Sequence, residues 1–416
     1  MNRAGATLGL ALVLAGPADA AEAPAINGYL KAFGSATDVR DHARRLGYAD
    51  EAHAFDHADR LRLRMDVRPS DQVSMGAHYD VYVQWGDSVR IRRRSGAPPP
   101  AERRRFLDLE SDIRDEDSMR ARHGLDRLWI RWEPDRRVQL TAGRQAVSWG
   151  TGLIWSPTDL FSAFAPTEID REEKLGVDAV RLIVQAHPLV SVDAVVEPLD
   201  RDAHGRATAR DSTFAARIGT RAGEYDLHLC AGSVQSDAVL GGDFSGYLGD
   251  AGFRGEALYT WVDERDQRDY VRALLGADYG FAAPWNPYVA VEYFHNGLGA
   301  RDEGDYAARR MASSVRRVFE RGIAYNLGRE YLAGTLRVQP NALLTLQATT
   351  LVNLRDGSFR EFAACTWSVT EDFDVMVGVD AGLGGGRGEF TRLRDETTGM
   401  ELGGPDLYFV YAKYYF

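Results

Sequence analysis

From Val73 to Gln84 apolar and polar side chains alternate without a break. Val73, Met75, Ala77, Tyr79, Val81 and Val83 fall on one parity, and Ser74, Gly76, His78, Asp80, Tyr82 and Gln84 on the other. A period of two marks a strand, and this one outruns the usual globular strand of about five or six residues. The preceding segment sets Leu61, Leu63, Met65 and Val67 against Arg60, Arg62, Arg64 and Asp66. Charge at every second position over such a length means that one face is wet. Further on, Phe373, Val375, Val377, Val379 and Ala381 oppose Asp374, Met376, Gly378 and Asp380, and Leu344, Leu346 and Ala348 oppose Thr345, Gln347 and Thr349. Strands of about ten residues, apolar outward and polar inward, are the pattern of a transmembrane β-barrel. A secreted sandwich or propeller alternates over shorter strands.

Turn spacing sets the strand number. Short breaks fall at Arg68-Pro69-Ser70-Asp71, Glu133-Pro134-Asp135, Ala186-His187-Pro188, Arg221-Ala222-Gly223, Leu248-Gly249-Asp250, Ala283-Pro284-Trp285-Asn286, Gln339-Pro340-Asn341 and Thr370-Glu371-Asp372. Longer connections lie between them, at 86–123, 149–176, 199–211, 264–268, 298–326 and 354–358. Short turns at one end and long loops at the other are the asymmetry of outer-membrane barrels. With a first strand near Ile26–Gly34 and a last near Asp406–Phe416, the reading is an all-β, antiparallel transmembrane barrel of about 18 strands (16 to 18). The pattern is least regular over Val234–Gly246 and Gly388–Arg394. An even number returns both termini to one side.

The two ends fit export and membrane assembly. Arg3, the apolar run Leu8–Leu14 and Ala18-Asp19-Ala20 form a signal-peptide pattern, so residues 1–20 are expected to be removed and 21–416 to form the barrel, with Ala23 a second candidate cut. At the other end Tyr408, Val410, Ala412, Tyr414 and the terminal Phe416 share one parity. That pattern resembles the C-terminal signal of bacterial outer-membrane barrels, which implies the barrel-assembly machinery as a partner and the outer membrane as the destination.

Composition narrows the picture. The 416 residues carry 50 Lys plus Arg against 61 Asp plus Glu, a net charge of −11, and beyond the first twenty residues lack any apolar run long enough for a spanning helix. A polytopic helical membrane protein is excluded, and the acidic total argues against nucleic acid as a partner. Only Lys31, Lys174 and Lys413 are lysines. Two cysteines, Cys230 and Cys365, sit in separate strand-like segments and are expected as buried free thiols rather than a bridge.

Two outer loops have their own patterning. In 86–123, Arg90, Arg92, Arg93, Arg94, Arg103, Arg104 and Arg105 flank three prolines, and an acidic run from Asp108 to Asp117 follows. Such a loop either neutralises itself or offers a basic cluster to lipopolysaccharide phosphates. Within 304–322, Met311, Val315, Val318 and Phe319 recur at helical spacing, predicting a short amphipathic helix at the mouth.

The richest stretch runs from Gly143 to Gly176, between the fifth and sixth strands. Arg144, Trp149, Trp155, Asp159, Glu168, Asp170, Arg171, Glu172 and Glu173 are its candidate constriction residues. Aromatics and prolines stiffen such an insert, and its acids opposite Arg144, Arg171 or wall arginines would set a transverse field. Gly143-Arg144-Gln145, Trp149-Gly150 and Pro157-Thr158-Asp159, together with the first strand Asn27-Gly28-Tyr29-Leu30-Lys31, resemble a motif of porin-like outer-membrane proteins. The resemblance implies a barrel with an inserted loop and no catalytic residues; in general diffusion porins the loop at this place folds inward. A segment that only plugs or rigidifies the barrel fits the same residues.

On the inward parity Arg60, Arg62, Arg64, Arg127, Arg131, Arg217, Arg254, Arg272 and Arg337 mix with Asp66, Asp80, Asp193, Asp226, Glu256, Asp278, Glu292, Glu361 and Asp374. Mixed rings tune a pore without giving it a clear sign; pairs such as Arg254 and Glu256 also fit an internally satisfied network. Three functional classes follow: a passive or selective channel for small hydrophilic solutes, a plugged or gated barrel that exports a polysaccharide or supports a surface complex, and an outer-membrane hydrolase. For the last, only His295-Asn296-Gly297 with Ser313 and Ser314 is available, and nothing ties them together. No enzyme, cofactor or metal is expected, since the nine histidines are scattered apart from His53 and His57. The partners expected are outer-membrane lipid, lipopolysaccharide and the solute.

Overall fold

In a computed structural model, residues 25–38, 52–96, 105–164, 173–198, 208, 212–263, 268–306, 315, 318–319, 325–384, 388–391 and 404–416 are described. The strands are β1 (Ala25–Asp38), β2 (His53–Ser70), β3 (Val73–Gly86), β4 (Glu110–Asp115), β5 (Met119–Asp135), β6 (Val138–Gln145), β7 (Val177–His187), β8 (Val190–Pro198), β9 (Ser212–Ala222) and β10 (Tyr225–Val234). They continue as β11 (Asp237–Leu248), β12 (Ala251–Trp261), β13 (Tyr270–Gly280), β14 (Tyr288–Asn296), β15 (Glu330–Asn341), β16 (Leu344–Asn353), β17 (Phe359–Thr370), β18 (Phe373–Leu383) and β19 (Leu407–Tyr415). All but β4 form a closed antiparallel ring of 18, shut where β1 pairs with both β2 and β19. Closure removes the open edges that a sheet of this size would expose.

All eight short turns lie where the breaks in the pattern put them. At Gly223 and Gly249 the chain turns through φ of +64° and +65°. At the long-loop end a tight turn joins β10 to β11 through Gln235 and Ser236, at φ of 49° and 75°. Two consecutive left-handed residues match the twist of a two-residue hairpin. Neither is the usual glycine, which is why the sequence pattern is weakest here.

Loop 86–123 is more ordered than its composition suggests. It contains α1 (Asp87–Ser95) and β4, which pairs with the upper half of β5 beyond the end of β6. Among its described residues Arg92 pairs with Asp115 at 2.8 Å, Arg90 with Asp87 at 2.6 Å and Arg120 with Asp112 at 3.1 Å. In the 304–322 region Val315, Val318 and Phe319 are helical, and Val315 and Val318 pack with Tyr270 and Leu298. Met311 lies outside the described residues, as do residues 1–24.

The alternation sorts the two faces of the wall. Ile130, Leu182, Leu229 and Val377 point out and are exposed, while Arg62, Thr141, Asp193 and Glu292 point in and are buried. Tyr408, Val410, Tyr414 and Phe416 also lie on the outer parity, at about half exposure. One inner assignment is corrected. Glu361 pairs with Thr350 on the outer parity, and Arg360, paired to Asp380 at 2.7 Å, takes the inner one, because β17 begins at Phe359. Cys230 is buried but Cys365 only partly so, and both are free.

Candidate functional site

Residues 146–164, between β6 and β7, form no strand or helix, so their backbone groups need partners from elsewhere. The wall supplies them. Glu256 on β12 accepts the N–H groups of Thr151 at 2.5 Å, Gly152 at 2.6 Å and Thr158 at 2.9 Å, and the Thr158 hydroxyl at 2.8 Å. Glu292 on β14 accepts those of Leu153 at 2.5 Å, Ile154 at 2.9 Å and Trp155 at 3.4 Å. Wall guanidinium groups serve the carbonyls: Arg254 donates to Thr151 O at 3.2 Å and Arg272 to Pro157 O at 3.0 Å. Gly150 turns at φ +81°, and a Cβ there would meet both Glu256 oxygens at 2.9 and 3.0 Å.

Apolar side chains fix the same segment. Val147, Trp149, Leu160 and Phe161 pack on Val177, Ala179, Val195, Ala215, Cys230, Val239 and Leu258 of β7–β12. Ile154 and Trp155 pack on Leu274, Phe294, Tyr331, Ala333 and Leu351 of β13–β16 and on Phe390. Trp155 stacks on Phe294 with centroids 5.1 Å apart, and Trp149 meets Phe161 edge-on at 5.1 Å. Both indole N–H groups are satisfied, Trp149 by Asp193 at 2.9 Å and Trp155 by Asn326 at 2.8 Å. These wall residues share the inner parity, so the segment sits inside the ring.

The return leg meets the opposite wall. Glu173 pairs with Arg62 and Arg64 of β2, Gly176 N–H donates to Asp126 Oδ1 at 3.3 Å, and Lys174 pairs with Asp159. Asp126 occupies a bulge of β5, where the register with β3 slips between His78 and Tyr79. In ring order β2 and β12 face each other, with β3 and β5–β11 between them one way and β1 and β13–β19 the other. The connection therefore has anchors on opposite sides of the lumen.

The wall opposite the apolar seat is charged and aromatic. On β19, β1, β2, β3 and β5 the inner parity carries Lys413, Lys31, Arg60, Arg62, Arg64, Asp80, Arg127 and Arg131. Arg62 binds Asp80 and Asp126, at 2.6 and 2.8 Å, and Arg60 reaches Asp80 at 2.8 Å. Tyr29 lies beneath the Lys413 ammonium at 4.0 Å and within 6 Å of the Arg60 and Arg64 guanidinium groups. A cavity of about 380 Å³ opens beside this strip, bounded by Arg60, Asp80, Tyr82, Arg105, Arg122 and Leu175.

Of the residues singled out in the sequence, Trp149, Trp155 and Asp159 lie in the lumen segment, and Glu173 lies on its return leg. Arg60, Arg62, Arg64, Arg131, Arg254, Glu256, Arg272 and Asp278 are on the inner parity. Arg254 pairs with Asp278 rather than with Glu256. Arg144 is corrected: it pairs across β6 and β7 with Asp178 at 2.8 Å on the outer parity, where it also donates to Leu107 O at 2.6 Å. Residues 107–110 cover it, which the spacing of β6 alone does not show. Glu168, Asp170, Arg171 and Glu172 lie outside the described residues. His295 contacts Glu330 at 3.0 Å, and Ser313 and Ser314 are outside the described residues too.

Glu389 is a residue that the sequence did not single out. It lies between β18 and β19 and accepts the N–H of Leu327 at 2.7 Å, the N–H of Gly328 at 3.2 Å, Asn353 Nδ2 at 2.8 Å and the Tyr331 hydroxyl. Burial pushes its carboxyl up to about 6. Beside it the Tyr306 hydroxyl donates to Asp356 at 2.7 Å, and burial and that carboxylate push the phenol up. The outer connections after β14, β16 and β18 thus converge on one carboxylate, next to the Trp155 seat. The flanking sequence carries no periodic signal that would reveal it.

No family model and no curated protein matches the sequence. Among solved structures the chain is similar to Pseudomonas aeruginosa OpdQ, at 8% identity over 95% of this chain and 99% of that one, with a TM-score of 0.54. It is likewise similar to Acinetobacter baumannii OccAB3, at 12% identity over 94% and 98%, with a TM-score of 0.54. A third is Acinetobacter baumannii OccAB1, at 10% identity over 94% and 96%, with a TM-score of 0.52. At these identities the likeness is one of fold.

Proposed function

We propose that this chain is an outer-membrane channel for small hydrophilic solutes, narrowed by the segment between β6 and β7. The observation that carries the reading is the division of the lumen. One side holds residues 146–164 and their apolar seat, while the facing side carries charged and aromatic side chains and a cavity of about 380 Å³. A wet lumen within an apolar outer belt is what an aqueous pore requires. The likeness of fold to OpdQ, OccAB3 and OccAB1 supports the same reading. The apolar filling of half the lumen keeps one second reading in play, a barrel closed until its segment moves.

Single-channel recording on the purified barrel in a planar bilayer tests this, beside a variant lacking Trp149–Glu173. Steady conductance that grows several-fold in the deletion supports a pore narrowed by this segment. Silence in the native protein with large steps in the deletion supports the closed barrel, and silence in both overturns the channel.

A further inference from the structure

We infer that Glu256 and Glu292 are positioning residues that clamp the lumen segment, so that its place on the wall is set by two carboxylates rather than by its own folding. The inference rests on the channel reading only for its consequence in current; the clamp itself stands on geometry. Eight residues, from Thr151 to Thr158, wrap round the two carboxylates, and the N–H groups of Thr151, Gly152, Leu153, Ile154, Trp155 and Thr158 all point at them. A run of unpaired N–H groups that converges on an anion is a backbone nest. Here the anion is built into the wall twice, on strands two apart in the ring.

The placement has a physical reason. Inside the ring the segment has no strand to pair with, and buried N–H groups left without acceptors are costly. A carboxylate offers two oxygens with about four lone-pair sites, so it serves several donors where a backbone carbonyl serves one or two. The surroundings leave little room for another arrangement. A Cβ on Gly150 would meet the Glu256 oxygens at about 3 Å, and one on Gly152 would strike Trp155 O at 1.8 Å. The carboxylates thus fix where the backbone lies, and the tryptophan seats on either side fix its depth. Under this arrangement the segment is a static lining, and solute passes on the side of the cavity bounded by Arg60, Asp80 and Tyr82.

The test uses E256Q, E292Q and the double variant in the full-length barrel. Glutamine keeps the size but turns an NH2 group toward N–H donors, so each change is expected to raise the released population of the segment about ten- to a hundred-fold. Mobility on gels without boiling first establishes that each variant barrel is folded. Two readouts follow. One is quenching of Trp149 and Trp155 fluorescence by acrylamide, taken as the difference from a W149F/W155F background. The other is open-channel noise and mean conductance. The clamp predicts more quenching and a noisier, larger current in both single variants, the strongest effect in the double variant, and partial recovery in E256D. Folded variants with quenching equal to the native protein overturn it. Because quenching needs no current, a barrel that is silent in every form refutes the channel while leaving the clamp judged on its own. If the double variant does not fold, the single variants decide.

Discussion

The two halves of the lumen wall obey the same alternation yet differ in what their inner residues touch. On β7–β16 the inner parity carries an apolar patch, with Val195, Ala215, Val239, Leu258, Leu274, Phe294 and Leu351 buried under the segment. Among the polar residues around it, Asp193, Glu256, Glu292 and Arg272 serve that segment's indole and backbone groups. On β19 and β1–β5 the inner parity carries charged residues that pair with wall residues such as Asp80 and with Glu173 of the return leg. An inner face can therefore be an apolar seat or a charged network in one barrel. The difference lies in which part of the connection meets it: tryptophans and bare backbone on one side, Glu173 on the other. A transmembrane barrel ordinarily keeps its apolar residues outside, so apolar inner residues on consecutive strands mark where something is seated.

Four changes break or sharpen that contrast. Phe161→Ala, at the centre of the covered half, should weaken the seat by about 3–5 kcal/mol, read as earlier loss of Trp149 burial in denaturant, with the barrel transition less affected. Gly150→Ala should cost about 1–3 kcal/mol through its left-handed backbone, with the Glu256 contact adding to it; the same fluorescence signal should respond, and an unchanged midpoint would refute the strain. At the rim of the covered half, Glu389 is raised from about 4.5 to about 6, worth about 2 kcal/mol. A raised carboxyl contributes stability that is present at acid pH and lost as pH rises through about 6. Protection of the outer connections from protease should therefore fall between about pH 4.5 and 6, and Glu389→Gln should flatten that dependence.

The charged half should respond in selectivity rather than stability. Replacing Arg60 and Arg64 by glutamine removes two positive charges beside the path, each worth about 1 kcal/mol to an ion a few ångströms away in water. The cation-to-anion permeability ratio, measured as a reversal potential in a salt gradient, should rise about thirtyfold or more with little change in the denaturation midpoint. No shift would place the current path elsewhere.

Local chemistry made much of this legible. The hairpin turns, the strand number, the outward row that ends at Phe416 and the inner parity of Arg60, Arg62 and Arg64 all follow from period two and from turn residues. The assignments that failed depend on register. Arg144 was read with its loop but belongs with Asp178, because β4 and residues 107–110 close over the end of β6. Glu361 was placed one residue out of phase at the start of β17, where a slip of one exchanges the faces. β4 itself carries too few residues to show a period.

What the sequence determined by itself was the class of wall, because alternation is a property of neighbouring residues and needs no partner to be read. It also marked 143–176 as the unusual connection, through tryptophans, prolines and acids that no turn requires. Which wall receives that connection was decided only by closure of the ring. Glu256 lies 105 residues from Thr151, and Glu292 lies 139 from Leu153. Only the shared inner face of an 18-strand ring brings their carboxylates to the same stretch of backbone. A glutamate on the inner parity reads the same in sequence whether it meets water or a nest of N–H groups, and the folded ring supplies the difference.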